Sequence, residues 1–268
     1  MKAPLLELVN ASVVRGDALV LENLTLAIAE GEHTAILGSN GSGKSTLVQL
    51  LSRHLYPLAG GEVRVFGQSR WSVPELRTLI GIVSPALQSE FTSNEPLRVF
   101  EAVASGFFAA RGLWQVHSLT QEMGAQALEA LERVGAEHLA RRAMATLSTG
   151  EARQVVIARA LVHRPKALLL DEPCTGLDPV SRADFLVRLR HLARGGTTIL
   201  MVTHHVEEIL PEIGTVVMLQ NGRLLAKGAK EALLTSDNLS SLLGAAMEVE
   251  RQGANYYARA LDQDPEQS

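Results

Sequence analysis

The stretch Gly38–Thr46, GSNGSGKST, places three glycines and one lysine between the segments TAIL and LVQLL. Glycine accepts backbone dihedrals that other residues avoid, so such a loop can curl its bare N–H groups around an anion. The residues Thr34–Leu37 predict a buried strand, and a helix is predicted to start near Lys44. Because a helix N-terminus adds free N–H donors and the positive end of a dipole, the segment predicts a phosphate-binding loop.

The spacing Gly38-x-x-x-x-Gly43-Lys44-Ser45 is the P-loop pattern, in which the lysine reaches the β- and γ-phosphates and the hydroxyl ligates Mg²⁺. A flexible turn with an incidental lysine would explain the loop but not the strand and helix around it. The pattern alone fits a kinase, a GTPase, a helicase or a transporter motor, so the rest of the chain has to distinguish these classes.

The composition of the chain limits the classes of protein to which it can belong. The chain has 268 residues, 46% of them hydrophobic, which is enough for one large domain or two small ones. Its net charge of -4 argues against a general nucleic-acid binder, for which a basic surplus is typical. The single cysteine, Cys174, excludes an internal disulfide framework, and the apolar runs are too short to cross a membrane. We therefore expect a soluble, intracellular protein.

The hydrophobic pattern predicts the order of elements. Short apolar–polar alternations before residue 38 and in GEVRVFG predict strands, whereas residues 95–163 read as helical. After residue 165, KALLLDEP, PVSRADFLVRLRHLARGG and TTILMVTHH alternate strand, helix and strand, which is typical of a parallel sheet with crossover helices. TVVMLQNGRLLAKG predicts a hairpin that turns at Asn221-Gly222. Residues 229–268 predict two short helices, a possible strand pair and a disordered polar end.

Two carboxylates follow the strand in ALLLDEP. Ligands bind open parallel sheets at this end of the strands. Asp171 suits a Mg²⁺ site, and Glu172 suits a base that orients an attacking water. A pair of solvated loop acids is the weaker alternative, since the same chain carries a P-loop.

Two further polar segments have both a structural and a functional interpretation. In LSTGE, Ser148 can cap the next helix in a capping box with Glu151, and the free N–H groups behind it can form a second anion site. In VTHH, His204 and His205 follow a buried strand, where one could touch a γ-phosphate, although an isolated histidine pair is more often structural. The local sequence leaves both interpretations open.

The order of the P-loop, Gln88, LSTGE, LLLDEP, TGLD and VTHH resembles the ATP-binding subunit of ABC transporters over roughly residues 5–228. The resemblance implies an α/β P-loop NTPase fold. Its RecA-like parallel-sheet core would comprise 1–88 and 150–228, with an N-terminal antiparallel β subdomain and an inserted helical subdomain at 89–149. Residues 229–268 would be a C-terminal extension.

The resemblance also implies roles for individual residues. Ser45, Gln88 and Asp171 would hold Mg²⁺, Glu172 would be the catalytic carboxylate, and His204 would be the switch histidine, with Gln88 also counted as catalytic. The phosphates of ATP would be wrapped by the loop residues Gly38, Ser39, Asn40, Gly41, Ser42, Gly43, Lys44, Ser45 and Thr46.

The same resemblance implies partners. Ser148 and Gly150 would bind the γ-phosphate of ATP held by a second copy, with Asp178 at that interface. Two head-to-tail copies would thus enclose two ATP molecules. The dimer would drive an integral membrane subunit at the cytoplasmic face of the cell membrane, and import is one direction that fits. No nucleic acid is expected as a partner.

The chain departs from the family pattern at three places. Arg15 stands where an aromatic residue commonly stacks on adenine, although a guanidinium can also stack on a base. The segment SPALQ delays Gln88 after its strand. Thr149 and Glu151 replace the common glycine and glutamine of the signature.

Other functions stay open at this stage. A soluble ABC ATPase could act on a cytosolic macromolecule, but most such proteins carry two cassettes in one chain, and this chain has one. A P-loop kinase would leave LSTGE and TGLD unexplained.

For a membrane partner, we predict that Phe91, Phe108 and Trp114 line an exposed apolar groove that receives a short coupling helix. A role in the core is the alternative.

Overall fold

A computed structural model describes residues 3–92, 97–110, 112–113 and 118–261. The chain divides into two compact units, one within residues 1–70 and 199–268 and the other within 71–198. The predicted limits of the helical subdomain, 89–149, and of the C-terminal extension, 229–268, stay predictions. Among the described residues, no helix has the length and apolar character needed to span a bilayer.

The first unit begins with an antiparallel sheet. Its strands are ordered β2-β1-β4, with β1 at Leu6–Arg15, β2 at Ala18–Ile28 and β4 at Glu62–Val65. Buried and accessible side chains alternate along much of β1, as expected of a strand with one covered face. The predicted N-terminal antiparallel β structure is therefore confirmed.

A second sheet of this unit carries the glycine-rich loop. Strand β3 (Thr34–Leu37) pairs in parallel with β7 (Thr198–Thr203) and with β8 (Thr215–Gln220), and β9 (Arg223–Ala229) pairs antiparallel to β8. Every residue of β3 is buried, which explains the apolar run Ala35–Leu37 that ends the strand. Helix α1 (Lys44–Leu51) follows the loop, as predicted.

The β8–β9 turn has the predicted residues in the predicted conformation. Asn221 has φ 48° and Gly222 has φ 75°, the two positive values that a two-residue type I′ hairpin requires. The unit then continues with α8 (Lys230–Leu233), α9 (Ser236–Leu243) and a hairpin of β10 (Met247–Gln252) and β11 (Asn255–Ala260). The predicted helices and strand pair are confirmed, whereas the polar end, 262–268, lies outside the described residues.

The second unit contains a parallel strand pair, β5 (Ile80–Val83) and β6 (Ala167–Asp171), among helices. The central helix, at Thr149–Leu161, packs against strand β5 and against four other α-helices, and buried side chains cover most of its surface. The described helices of the unit are α2 (Val73–Leu79), α3 (Pro85–Thr92), α4 (Val99–Ala104), α5 (Gln121–Arg133), α6 (Thr149–Leu161) and α7 (Pro179–Arg194), with 3₁₀ turns at Ser105–Phe108, Glu137–Leu139 and Met144–Thr146.

Candidate nucleotide-binding residues

The P-loop of the first unit needs glycine at its first and last glycine positions. A Cβ on Gly38 would lie 2.4 Å from the Leu219 carbonyl oxygen and 2.5 Å from Ser42 Oγ. Gly43 has φ +100°, and a Cβ there would lie 2.7 Å from Leu21 Cδ2. The backbone therefore comes close to its own surroundings at both positions, and only glycine fits.

Lys44 is the buried cation of this loop. Its side chain is 5% exposed, and its Nζ donates to the carbonyl oxygens of Gly38 at 2.8 Å and Ser39 at 3.0 Å. These bonds hold the ammonium group across the loop. Because Gly43, the N-cap of α1, has no side chain with which to cap the helix, the first N–H groups are open to an anion.

The loop fits a nucleotide phosphate. It offers bare backbone, a fixed ammonium group and an uncapped helix start, and Ser45 on the first turn of α1 is exposed. Within the described part of the chain, Ser42 Oγ is buried without a hydrogen-bond partner, as expected of a group whose partner is a bound ligand.

The β8–β9 turn fastens this loop, which sequence reasoning missed. Gly222 N–H donates to the Ser42 carbonyl at 3.0 Å, and Glu22 N–H donates to the Gly222 carbonyl at 2.9 Å. A Cβ on Gly222 would lie 2.2 Å from the Val20 carbonyl oxygen. The Asn-Gly pair signalled the turn, but no local signal showed that the turn contacts the P-loop.

The first unit also contains the histidine pair after β7. The ring centroids of His204 and His205 lie 3.9 Å apart with an interplanar angle of 40°, and both residues are half-buried. Behind them, Thr203 Oγ1 donates to the buried carboxyl group of Glu208 at 2.6 Å and accepts from His205 N–H at 3.1 Å. Sequence reasoning missed this support of the turn by Glu208.

Arg15 lies at the end of β1, opposite Ala18, where the hairpin turns to β2. It is exposed, so its guanidinium is accessible to a planar ligand. Whether it stacks on a base stays a prediction.

In the second unit, the two predicted acids follow β6. Asp171 is the last residue of the strand, and Glu172 comes next with φ 45°. A non-glycine residue in the left-handed region costs about 1–2 kcal/mol, so the surrounding structure has to hold it there. Arg153 does so in part, because its Nη1 donates to the carbonyl oxygens of Pro173 at 2.7 Å and Glu172 at 3.3 Å.

Gln88 lies on helix α3 and is 8% exposed. The delay by SPALQ therefore places it one helical turn beyond the strand end. Its Oε1 accepts a hydrogen bond from Arg153 Nε, and its Nε2 donates to the Thr149 carbonyl at 3.1 Å. Sequence reasoning missed Arg153, because it lies between Glu151 and Gln154 in a polar part of α6 and no local signal marked it as buried.

Ser148 caps α6 as predicted. Its hydroxyl accepts from Glu151 N–H at 3.2 Å, and Ser148 N–H donates to the Glu151 carboxylate at 2.8 Å. That backbone hydrogen bond is the main cause that lowers the pKa of the Glu151 carboxyl, and Arg142 adds to it. Ser148 is exposed and Gly150 is half-buried, so the helix start is accessible to a partner.

Asp178 plays the same capping part at α7. Its carboxylate accepts from the N–H groups of Val180 and Ser181, both at 3.0 Å. Hydrogen bonds from the Ser181 hydroxyl and N–H lower the pKa of the Asp178 carboxyl, which is exposed. A structural role as a cap thus explains Asp178 fully, and its proposed place at a dimer interface stays a prediction.

The predicted docking groove needs a correction. Phe91 is 3% exposed, and the Arg159 guanidinium carbon lies 4.9 Å from the centroid of its ring. The prediction that Phe91 lines an exposed groove is wrong, because burial and a cation–π contact hold the ring in the interior of the second unit. Phe108 is half-buried and stays a prediction, while Trp114 lies outside the described residues.

A buried parallel strand, a glycine loop with a fixed lysine and an uncapped helix define an α/β P-loop nucleotide-binding protein. The family model described as ABC transporter matches residues 21–175. The chain belongs to the ABC transporter family as an ATP-binding subunit with ATPase activity.

Relatives of both transport directions are similar to the chain. The ABC transporter ATP-binding protein YlmA of Bacillus subtilis (strain 168) is 35% identical, over 91% of this chain and 93% of that protein. The Nod factor export ATP-binding protein I of Rhizobium sp. (strain N33) is 36% identical, over 82% and 69%. The Fe(3+) ions import ATP-binding protein FbpC of Streptomyces coelicolor is 35% identical, over 85% and 63%.

Among solved structures, the dimeric post-hydrolysis state of the ATP-binding cassette MJ0796 bound to ADP and Pi is similar to the chain. It is 28% identical with a TM-score of 0.67, over 84% of this chain and 98% of that one. The family and the P-loop NTPase fold predicted from the sequence are confirmed.

Proposed function

We propose that this subunit hydrolyses Mg-ATP with Lys44 on the phosphates and Glu172 as the carboxylate that orients the attacking water. The observation that carries the proposal is the fixed Lys44 ammonium, held by the Gly38 and Ser39 carbonyls within a loop that requires glycine at positions 38 and 43. The water oxygen forms a bond to the γ-phosphorus while the bond to the bridging oxygen breaks, and Glu172 accepts a hydrogen bond from that water.

The other loop residues donate backbone N–H groups to the phosphates. Mg²⁺, when bound, neutralises charge on the phosphate oxygens, and the Ser45 hydroxyl, the Gln88 amide oxygen and the Asp171 carboxylate are oxygen ligands of the type it takes. We assign His204 to the γ-phosphate, which its half-buried position at the end of β7 supports.

The proposal includes a head-to-tail homodimer that encloses two ATP molecules. The accessible start of α6, with Ser148 and Gly150, supports it, since N–H groups at a helix start bind anions well. The MJ0796 cassette was solved as a dimer. ATP held by one copy would then bind the α6 start of the other, so that ATP joins the two copies.

The physiological partner we propose is an integral membrane transporter subunit, with this chain at the cytoplasmic face of the membrane. Membership of the ABC transporter family and the names of the relatives support this partner. Import and export both fit this chain, because a relative named for import and one named for export match it almost equally well.

The decisive experiment uses Glu172→Gln, which removes the charge of the carboxylate and keeps its shape. We expect ATP to bind with unchanged affinity, turnover to fall at least a hundredfold, and the protein to elute as a dimer with Mg-ATP and as a monomer without nucleotide. Glu129→Gln is the matched control, since Glu129 is a surface acid paired with Arg164. Parental turnover in Glu172→Gln would remove Glu172 from the mechanism, and a monomer with ATP would remove the homodimer.

A further inference from the structure

We propose that Arg153 is a positioning residue that holds Gln88 and Glu172 in one buried network and thereby sets the rate of hydrolysis. The inference rests on the proposed function, which assigns Gln88 and Glu172 to the site of reaction. It adds a residue that touches neither ATP nor water in the proposed mechanism.

The guanidinium of Arg153 donates hydrogen bonds to both Gln88 and Glu172. Arg153 is 2% exposed, and its Nε donates to Gln88 Oε1 while Nη1 donates to the carbonyls of Glu172 and Pro173. Its Nη2 donates to the Thr175 carbonyl at 3.4 Å. One rigid planar group therefore joins helix α3 to the turn after β6.

The turn after β6 depends on such support. Glu172 has φ 45°, and side-chain direction follows from the backbone conformation at the same residue. Without the donors on the carbonyls of Glu172 and Pro173, the turn would be free to relax to a more favourable φ. The Glu172 carboxylate would then point elsewhere.

Gln88 is held from both ends of its amide. Its Oε1 faces Arg153, and its Nε2 donates to the carbonyl of Thr149, next to the helix cap Ser148. The amide oxygen is the atom proposed to ligate Mg²⁺, so Arg153 also sets where that atom lies before the cation binds. Removing Arg153 would release both groups at once.

The competing explanation is that Arg153 only stabilises the fold. The chain offers a matched control on the same helix, because Arg159 is also buried, at 5%, and also donates to a backbone carbonyl, that of Ala110, at 2.8 Å. Arg159 contacts Ser105 and Phe91 rather than the proposed reaction residues. A purely structural effect should appear in both variants.

The first measurement compares Arg153→Met, Arg153→Lys and Arg159→Met in the full-length chain. We expect Arg153→Met to lower kcat at least tenfold with KM for ATP within twofold, because the Lys44 loop is untouched. Arg153→Lys should restore only part of kcat, since an ammonium cannot reproduce the planar fork. Arg159→Met should shift the urea midpoint but keep kcat per folded molecule within twofold. Equal kcat in Arg153→Met and the parent overturns the inference.

The second measurement repeats Arg153→Met in a background that lacks both proposed reaction groups, Gln88→Leu with Glu172→Gln. If Arg153 acts through these two residues, the residual turnover should stay within twofold of that background. A further tenfold loss would show that Arg153 acts independently of both residues and would overturn the inference. Parental turnover in Glu172→Gln itself would instead refute the proposed function.

A third measurement needs no nucleotide. In urea unfolding, Gln88→Leu should lower the midpoint in the parent but much less in Arg153→Met or Arg153→Lys, because the shared hydrogen bond is already lost or weakened. Additive midpoint shifts would show that the pair is not coupled and would overturn the network. Should Arg153→Met fail to fold, Arg153→Lys decides the kinetic comparison: parental kcat overturns the inference, and reduced kcat supports it.

Discussion

A comparison of Lys44→Ala with Lys230→Ala separates an effect on nucleotide binding from an effect on stability, because both lysines are buried in the same unit and donate to two backbone carbonyls. Lys230 is 3% exposed, and its Nζ donates to the carbonyls of Leu210 at 3.3 Å and Pro211 at 3.0 Å. Burial is the main cause that lowers the pKa of Lys230. Lys44 is 5% exposed and also donates to two carbonyls. Both variants thus lose a buried ammonium with two backbone partners.

The expected magnitudes differ only for ATP. A hydrogen bond to a charged group is worth about 1.5–3 kcal/mol, so Lys44→Ala should weaken ATP binding roughly 10- to 150-fold. Each variant leaves carbonyls without their donor, at a cost of about 1–3 kcal/mol in the free energy of unfolding, reduced by relief of the buried charge. Lys230→Ala should therefore unfold more easily while binding ATP as the parent does.

Isothermal titration with Mg-ATP and urea unfolding without nucleotide measure the two quantities on the same samples. Parental ATP affinity in Lys44→Ala would refute the phosphate role of Lys44. Equal loss of affinity in both variants would show that lost stability, rather than a lost contact, weakens binding. Lys44→Arg adds a check, because it keeps the charge but replaces the compact ammonium by a planar guanidinium.

Three further predictions concern Gly222, Arg15 and Glu151. Gly222→Ala should cost about 2–4 kcal/mol of stability and weaken ATP binding, since its Cβ would lie 2.2 Å from the Val20 carbonyl oxygen and its N–H donates to the Ser42 carbonyl. The control Gly253→Ala, at a turn with φ +64° and open space, should cost only about 1–2 kcal/mol. Equal urea midpoints in the two variants would contradict the clash at Gly222. If the Arg15 guanidinium stacks on adenine, Arg15→Ala should weaken ATP binding about two- to fivefold, and Arg15→Tyr should keep or improve it. Equal dissociation constants for ATP in the parent and both variants would show that Arg15 is only solvated. The pKa of the Glu151 carboxyl is lowered on folding, so the group contributes stability above its unfolded-state pKa, and this stability is lost as pH falls through its folded-state pKa. Acid unfolding of Glu151→Gln should therefore depend less on pH than that of the parent. Identical pH profiles would disprove the capping contribution.

The local sequence determined the elements whose causes lie within a few residues. Strand β3, the start of α1, the capping box of Ser148 and Glu151, and the Asn221-Gly222 turn all follow from apolar runs, caps and glycine conformations. The order of motifs also identified the family, because each motif needs particular residue types at short spacing. Since the residues that cause each of these features are neighbours in the chain, the features can be predicted from the sequence alone.

The tertiary structure decided what depends on distant partners. Arg153 meets Gln88 from 65 residues away, and the Gly222 N–H reaches the Ser42 carbonyl in the P-loop. Phe91 was predicted at an exposed groove, whereas Arg159 covers it, since an aromatic residue next to polar neighbours has the same local pattern whether it is covered or not. The strained φ of Glu172 is likewise invisible in sequence, because no propensity of glutamate favours it and only neighbours such as Arg153, brought close by folding, hold it there.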